Sequence, residues 1–210
     1  METSTCIVAV KQLHNKTSRV TDIVMGSDSA GVDGGLVIRR ADRKLFCRTN
    51  SKGEYLIFGC TSSFRMIQLL RYNLSIPDQK SDSDLYYMTT VFIDEVRKCL
   101  KQGGYMKVEN NEETGGTFIV AYKREIYIID NDFQVGICYD PYMAIGCGRN
   151  YAIAAIYGAV NYMKNAWVLA EIALSAAEFY NPGGISKPFY YESLHYPEAQ
   201  LKSVRGGNNG

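Results

Sequence analysis

The chain opens METSTCIVAV (residues 1–10), and the reading of this stretch decides the fold. Cys6–Val10 is a short apolar run of the kind that forms a buried β-strand. Two hydroxyl residues, Ser4 and Thr5, stand directly before it. One reading makes residues 1–4 a short disordered start. The other is chemical: cutting after Ser4 makes Thr5 the first residue, with a free α-amine beside its hydroxyl.

Working outward, strands come first. After the polar stretch HNKTSR (14–19), VTDIVMGSDS (20–29) reads as a strand running into a turn. GLVIRRADRKLFCR (35–48) reads as two short strands around a charged turn, and EYLIFGC (54–60) as a buried strand. The period then changes. TSSFRMIQLLRYNL (61–74) sets Met66, Ile67, Leu70 and Leu74 on one helical face, with Thr61 or Ser62 as its expected cap. Asp82, Ser83 and Asp84 suit the start of a second helix, whose buried stripe is read as Leu85, Met88, Val91, Phe92, Val96 and Leu100, ending at Gly103-Gly104.

VENNEETGG (108–116) is polar and is expected to be a mobile loop. Residues 117–148 read as a meander of short strands with turns at Lys123-Arg124 and Asn131-Asp132. Two helices follow, 149–163 and 166–180, the first rich in alanine. Asn181-Pro182-Gly183-Gly184 stops the second, and 185–194 reads as a late strand. Runs of strands alternating with runs of helices predict an α+β protein with antiparallel sheets. Two strand sets and two helical pairs fit four layers.

The composition narrows the function classes. Lys+Arg is 23 and Asp+Glu 22, a net charge of +1, which gives no reason to expect nucleic acid or an anionic membrane as partner. No apolar run approaches the roughly 20 residues that span a bilayer, and METST does not read as a secretion signal. The six cysteines, Cys6, Cys47, Cys60, Cys99, Cys138 and Cys147, are isolated, as free thiols in a reducing cytoplasm would be. The only histidines, His14 and His195, lie near opposite ends, so neither a metal site nor another cofactor is expected.

Several short motifs, in order, resemble those of proteasome β-type subunits and the simpler bacterial peptidase of that family, which are N-terminal-nucleophile hydrolases. TCIVAV places Thr5 at the head of the first strand, and VMGSDSAG (24–31) places Asp28. Lys44, in RKLFC (43–47), follows Asp28 by 16 residues, the most specific match. YLIFGCTSSFRMIQLL (55–70) resembles the strand and glycine turn that open the family's first helix, with Gly59 at the first glycine and Ser62 at the second. AIGCGRNYAIAAI (144–156) resembles the Gly-Ser-Gly turn before the third helix, with Cys147 in place of serine. The likeness runs from about Thr5 to about Phe189.

The resemblance implies a four-layer αββα sandwich over residues 5–195, a propeptide or extension at 1–4 and a flexible tail at 196–210. It implies a threonine peptidase that assembles as a ring homo-oligomer, works with an ATP-driven unfoldase and cuts unfolded polypeptide. Thr5 would be the nucleophile, its α-amine the base, Lys44 the cation that keeps the amine neutral, and Asp28 the group that holds Lys44. The turn from Gly59 to Ser62 would bind the oxyanion, with Cys147 assisting. The chain departs from the family at Ser4, where glycine is usual, at Ser62, at a longer loop around His14 and Asn15, and at Phe179 and Pro182, where an Asp and a Ser stand. Two other classes remain open: a non-catalytic scaffold of the same fold, and an amidohydrolase acting on a small molecule.

Overall fold

The computed structural model describes residues 5–12, 21–33 and 35–196. The expected extension at 1–4, the loop around His14 and Asn15 and the chain beyond 196 lie outside them. The first strand, β1 (Cys6–Lys11), is interior to a four-stranded antiparallel sheet in the order β12 (Tyr142–Gly146), β1, β2 (Thr21–Ser27), β13 (Tyr190–Tyr196). A second sheet runs β11 (Val135–Ile137), β10 (Glu125–Ile129), β9 (Phe118–Tyr122), β6 (Tyr55–Cys60), β5 (Leu45–Thr49). Two hairpins complete the strands: β3 (Ala30–Asp33) with β4 (Leu36–Arg39), and β7 (Lys107–Glu109) with β8 (Glu112–Thr114).

Because side chains alternate along a strand, each sheet faces two different cores. From β1, Cys6, Val8 and Val10 pack with α4 (Arg149–Ala159) and α5 (Ala166–Tyr180). Ile7 and Ala9 point the other way, onto Ile57 of β6 and Ile119 and Ala121 of β9. On its outer face the second sheet packs Leu56, Phe58, Phe118 and Val120 against α1 (Phe64–Tyr72) and α3 (Ile93–Gln102). The result is the expected αββα sandwich. The buried face of α5 carries Ala166, Ala170, Ala173 and Ala177 beside Leu169 and Leu174, and the short side chains among them let helix and sheet approach closely. Asn165 caps α5, its Oδ1 accepting from the N–H groups of Trp167 (2.9 Å) and Val168 (3.2 Å).

Three local expectations are corrected. The cap of α1 is Ser63, whose Oγ accepts from the Arg65 N–H, rather than Thr61 or Ser62. Thr61 spends its hydroxyl on the Thr117 carbonyl, and Ser62 sits at φ +65°. Residues 108–116, expected as a mobile loop, carry most of the β7–β8 hairpin, because Asn110 (φ +50°) and Asn111 (φ +67°) adopt the left-handed turn that hairpins require. In the second helix, Met88, Phe92, Val96 and Leu100 are buried, but Leu85 and Val91 are 45% and 43% exposed. There a π-helical segment, Met88–Phe92, joins α2 (Asp84–Tyr87) to α3 and rotates the stripe that a uniform helical period assigns.

Gly59 of β6 faces side chains of the other sheet at close range. A Cβ there would meet Ile7 Cγ2 at 2.5 Å and Met25 Cε at 2.7 Å. Gly59→Ala is therefore expected to destabilise the fold by about 1–3 kcal/mol through overpacking, read from the midpoint of a urea titration.

Candidate active site

Thr5 stands immediately before β1 and is fully buried. Its N–H donates to Cys147 Sγ at 3.3 Å. Its carbonyl accepts from the Gly148 N–H (3.3 Å) and the Cys147 thiol (3.5 Å). These contacts exist because the turn from β12 into α4 comes close. Gly146 has φ +93°, and a Cβ on it would sit 2.2 Å from the Thr5 carbonyl oxygen. Only glycine satisfies both demands.

Asp28 follows β2. The antiparallel register of β1 and β2, with Ile7 opposite Ser27, carries Asp28 to Cys6. The Cys6 N–H donates to Asp28 Oδ1 at 3.0 Å, and the Asp28 N–H donates to the Cys6 carbonyl at 3.3 Å. Oδ2 accepts from the Ala30 N–H at 2.9 Å. Lys44, next to β5, donates its Nζ to Oδ1 at 2.8 Å. Its own carbonyl accepts from the Cys60 N–H, which ties its backbone to β6. Both side chains are almost completely buried. Burial pushes the Asp28 carboxyl up and the Lys44 ammonium down, and their mutual contact opposes both shifts. Burial, together with the Asp28 charge, pushes the Cys6 thiol far above its ordinary range, which makes it an inert packing group.

The turn between β6 and α1 follows Cys60, whose N–H holds the Lys44 carbonyl. Gly59 lies within β6, in the sheet ladder, and contributes by letting the sheets approach. In the turn itself, the Thr61 N–H is bonded to the Thr117 carbonyl and the Ser63 N–H to the Thr61 carbonyl. The Ser62 N–H has no acceptor among the described residues. Its side chain is turned toward β9, where Oγ accepts from the Thr117 N–H at 3.0 Å. Ser62 thus occupies a glycine-like conformation with its N–H uncommitted and its hydroxyl anchored elsewhere.

Two buried hydroxyls besides the expected one of Thr5, those of Ser27 and Ser186, were not legible in the sequence. Thr5 Oγ1, Ser27 Oγ and Ser186 Oγ are all buried without a partner among the described residues. The Ser186 carbonyl accepts from both the N–H (3.0 Å) and the hydroxyl (3.1 Å) of Ser29, joining the loop after α5 to the segment that bears Asp28. Phe179 and Pro182 are at the surface, Phe179 81% exposed, so neither takes up a buried polar role. His195 pairs with Asp22 at 2.5 Å. Among the described residues no group of three or more His, Cys, Asp and Glu side chains is arranged to hold a metal ion, and no helix is long and apolar enough to cross a membrane.

Two antiparallel sheets stacked between helical pairs make the proteasome-like αββα fold. No family model matches the sequence, and no curated protein matches it. Solved structures do. Thiobacillus denitrificans BPH in complex with epoxomicin is 17% identical, with a TM-score of 0.69 over 91% of this chain and 99% of that one. Eukaryotic HslV from Trypanosoma brucei is 18% identical, with a TM-score of 0.59 over 91% and 99%. Anbu, an ancestral β-subunit from Yersinia bercovieri, is 16% identical, with a TM-score of 0.59 over 91% and 81%. At these identities the likeness is one of fold.

Removing one member of a buried ion pair strands the other. Lys44→Ala is expected to cost about 3–5 kcal/mol in a denaturant titration, and the double variant Asp28→Asn/Lys44→Met to cost less than the single one.

Proposed function

We propose that the chain is a threonine-type peptidase whose nucleophile is Thr5, exposed by cutting the Ser4–Thr5 bond. The observation that supports this reading is a fully buried Thr5 whose N–H reaches Cys147, directly before Cys6, whose own N–H holds Asp28 and, through that carboxylate, Lys44.

The freed α-amine takes the proton from Oγ1, and Oγ1 attacks the substrate carbonyl. The Lys44 charge favours the neutral amine and the developing alkoxide. Asp28, held by two backbone N–H groups, fixes where that charge sits. The Ser62 N–H donates to the oxyanion. The amine then passes its proton to the leaving amide nitrogen, and an ester between Thr5 Oγ1 and the acyl part of the substrate remains. Water, deprotonated by the same amine, hydrolyses that ester and restores the hydroxyl. Cys147 Sγ, beside the Thr5 nitrogen and carbonyl, positions the amine.

A ring of identical chains, fed unfolded polypeptide by an ATP-driven unfoldase, is part of the same proposal. The exposed aromatic side chains Tyr157, Trp167, Phe179 and Tyr180 on α4 and α5 support self-association. All six cysteines are free, as a cytoplasmic protein requires.

Intact mass spectrometry of the purified, untagged protein, followed by assay on a fluorogenic peptide series, tests the reading. The expected mass begins at Thr5, and Thr5→Ala abolishes both processing and hydrolysis. A chain that keeps residues 1–4 and cuts nothing is the scaffold of the same fold. A processed chain that hydrolyses small amides and no peptides is the amidohydrolase.

The pH profile of kcat/KM is expected to be bell-shaped. The base acts as the neutral amine, so activity is lost as pH falls through the α-amine pKa, ordinarily about 7.7–8.0. On the alkaline side the Lys44 proton is lost. Burial lowers the Lys44 pKa, so that limb begins below the ordinary lysine value of about 10.4.

A further inference from the structure

A cavity of about 590 Å³ opens between the loop that follows α1 and the helix that begins with α2, and none of the proposed reacting groups lines it. Its volume falls in the range of specific ligand pockets. One wall is made by the π-helical segment. Tyr86 and Val91 are five residues apart, and in an unbroken α-helix they would point about 140° apart around the axis. Met88–Phe92 interrupts that period, and both side chains stand on the cavity, 57% and 43% exposed. π-helical turns are rare and concentrate at functional sites.

The facing wall, residues 77–80, is held in place at three successive residues. Tyr87 Oη donates to the Pro77 carbonyl at 2.6 Å, and Ser51 Oγ donates to Asp78 Oδ2 at 2.6 Å. Gln79 donates to Asp84 Oδ1 (2.8 Å) and accepts from Tyr122 Oη (2.9 Å) and Lys123 Nζ (2.8 Å). The wall is therefore preformed, and a ligand need not order it.

Two polar groups on this wall are unspent. Asp78 Oδ1 is buried and has no hydrogen-bond partner among the described residues. Lys80 is exposed and makes no hydrogen bond or ion pair among them. A buried carboxylate oxygen without a donor is costly, so a donor arriving there is bound favourably. Pro77, Tyr86, Tyr87 and Val91 supply the apolar remainder of the lining. A simple cation meets Lys80, a simple anion leaves Asp78 unpaired, and a small polar molecule leaves the apolar surface wet. One class of molecule answers all three demands, a zwitterion with an apolar body.

The geometry points to a binding site for a free α-amino acid with an apolar or aromatic side chain. Its ammonium donates to Asp78 Oδ1, its carboxylate faces Lys80, and its side chain lies against Tyr86 and Val91. The site shares no residue with the proposed nucleophile machinery, so binding is read without hydrolysis.

Isothermal titration calorimetry on the purified full chain tests it with L-phenylalanine and three relatives. N-acetyl-L-phenylalanine lacks the ammonium, L-phenylalaninamide lacks the carboxylate, and glycine lacks the apolar body. Phenylalanine is expected to bind with a Kd of about 1 mM or tighter. Each relative is expected to bind at least about tenfold more weakly, the scale of one lost hydrogen bond to a charged group. Asp78→Asn is expected to remove the difference between phenylalanine and its N-acetyl derivative. Val91→Trp fills the cavity and is expected to abolish binding of all four. The comparison of the four molecules uses wild type alone, so it decides the matter even where a variant does not fold. Absence of saturable phenylalanine binding, equal binding of the four, or unchanged binding in folded Val91→Trp overturns the site.

Discussion

The Asp28–Lys44 ion pair joins parts of the chain that share no sheet. Asp28 accepts from the backbone of Cys6 at the start of β1, from Ala30 at the start of β3, and from Lys44 just before β5. β1 belongs to one sheet and β5 to the other, so one carboxylate pins the two sheets at their shared end. Ion pairs this deeply buried do not stabilise a fold by attraction alone, because desolvating two charges offsets most of what their contact returns. The two N–H donors on the carboxylate supply the remaining compensation. A hydrophobic pair of similar volume fills the space as well. What it does not supply is a positive charge held, through Asp28, at the head of β1.

Around that pair the site is shaped by the absence of side chains as much as by their presence. Gly146 lets the β12–α4 turn reach the Thr5 carbonyl, and Gly59 lets the sheets close over Ile7 and Met25. Alanines on α5 set the depth of the helix layer on β1. Thr5 is consequently enclosed on every side, yet its hydroxyl has no partner among the described residues. A buried hydroxyl left unpaired costs roughly 1–3 kcal/mol, so the fold holds this group in a state where bonding to something else is favourable.

The features legible in the sequence were those carried by side-chain type at short spacing. The succession of strands along the chain follows from apolar runs, whereas the Asp28–Lys44 pair is read through the family resemblance, over an interval that spans two short strands whose register is local. The Gly-Cys-Gly turn likewise sits in one contiguous segment. What stayed hidden was carried by backbone. Ser186 meets Ser29 through its carbonyl, across 157 residues, and a carbonyl leaves no mark on residue identity. The π-helical segment shifts a stripe that looks regular when counted by period, which is why Leu85 and Val91 were assigned inward. The Asn110-Asn111 turn did carry a hairpin signal, but short, exposed and charged strands on both sides masked it.

The position of β1 in its sheet also has a consequence for how the molecule is made. β1 is interior to its sheet, and both outer strands of that sheet come from much later in the sequence: Gly146 pairs with Cys6, and Tyr190 pairs with Ser27 of β2. Contacts of such long sequence separation form slowly and only after the intervening chain exists. The surroundings of Thr5, with Cys147 142 residues away, assemble only after the chain through Cys147 exists. Under the proposed function, topology alone keeps the surroundings of Thr5 incomplete until the β12–α4 turn has been made.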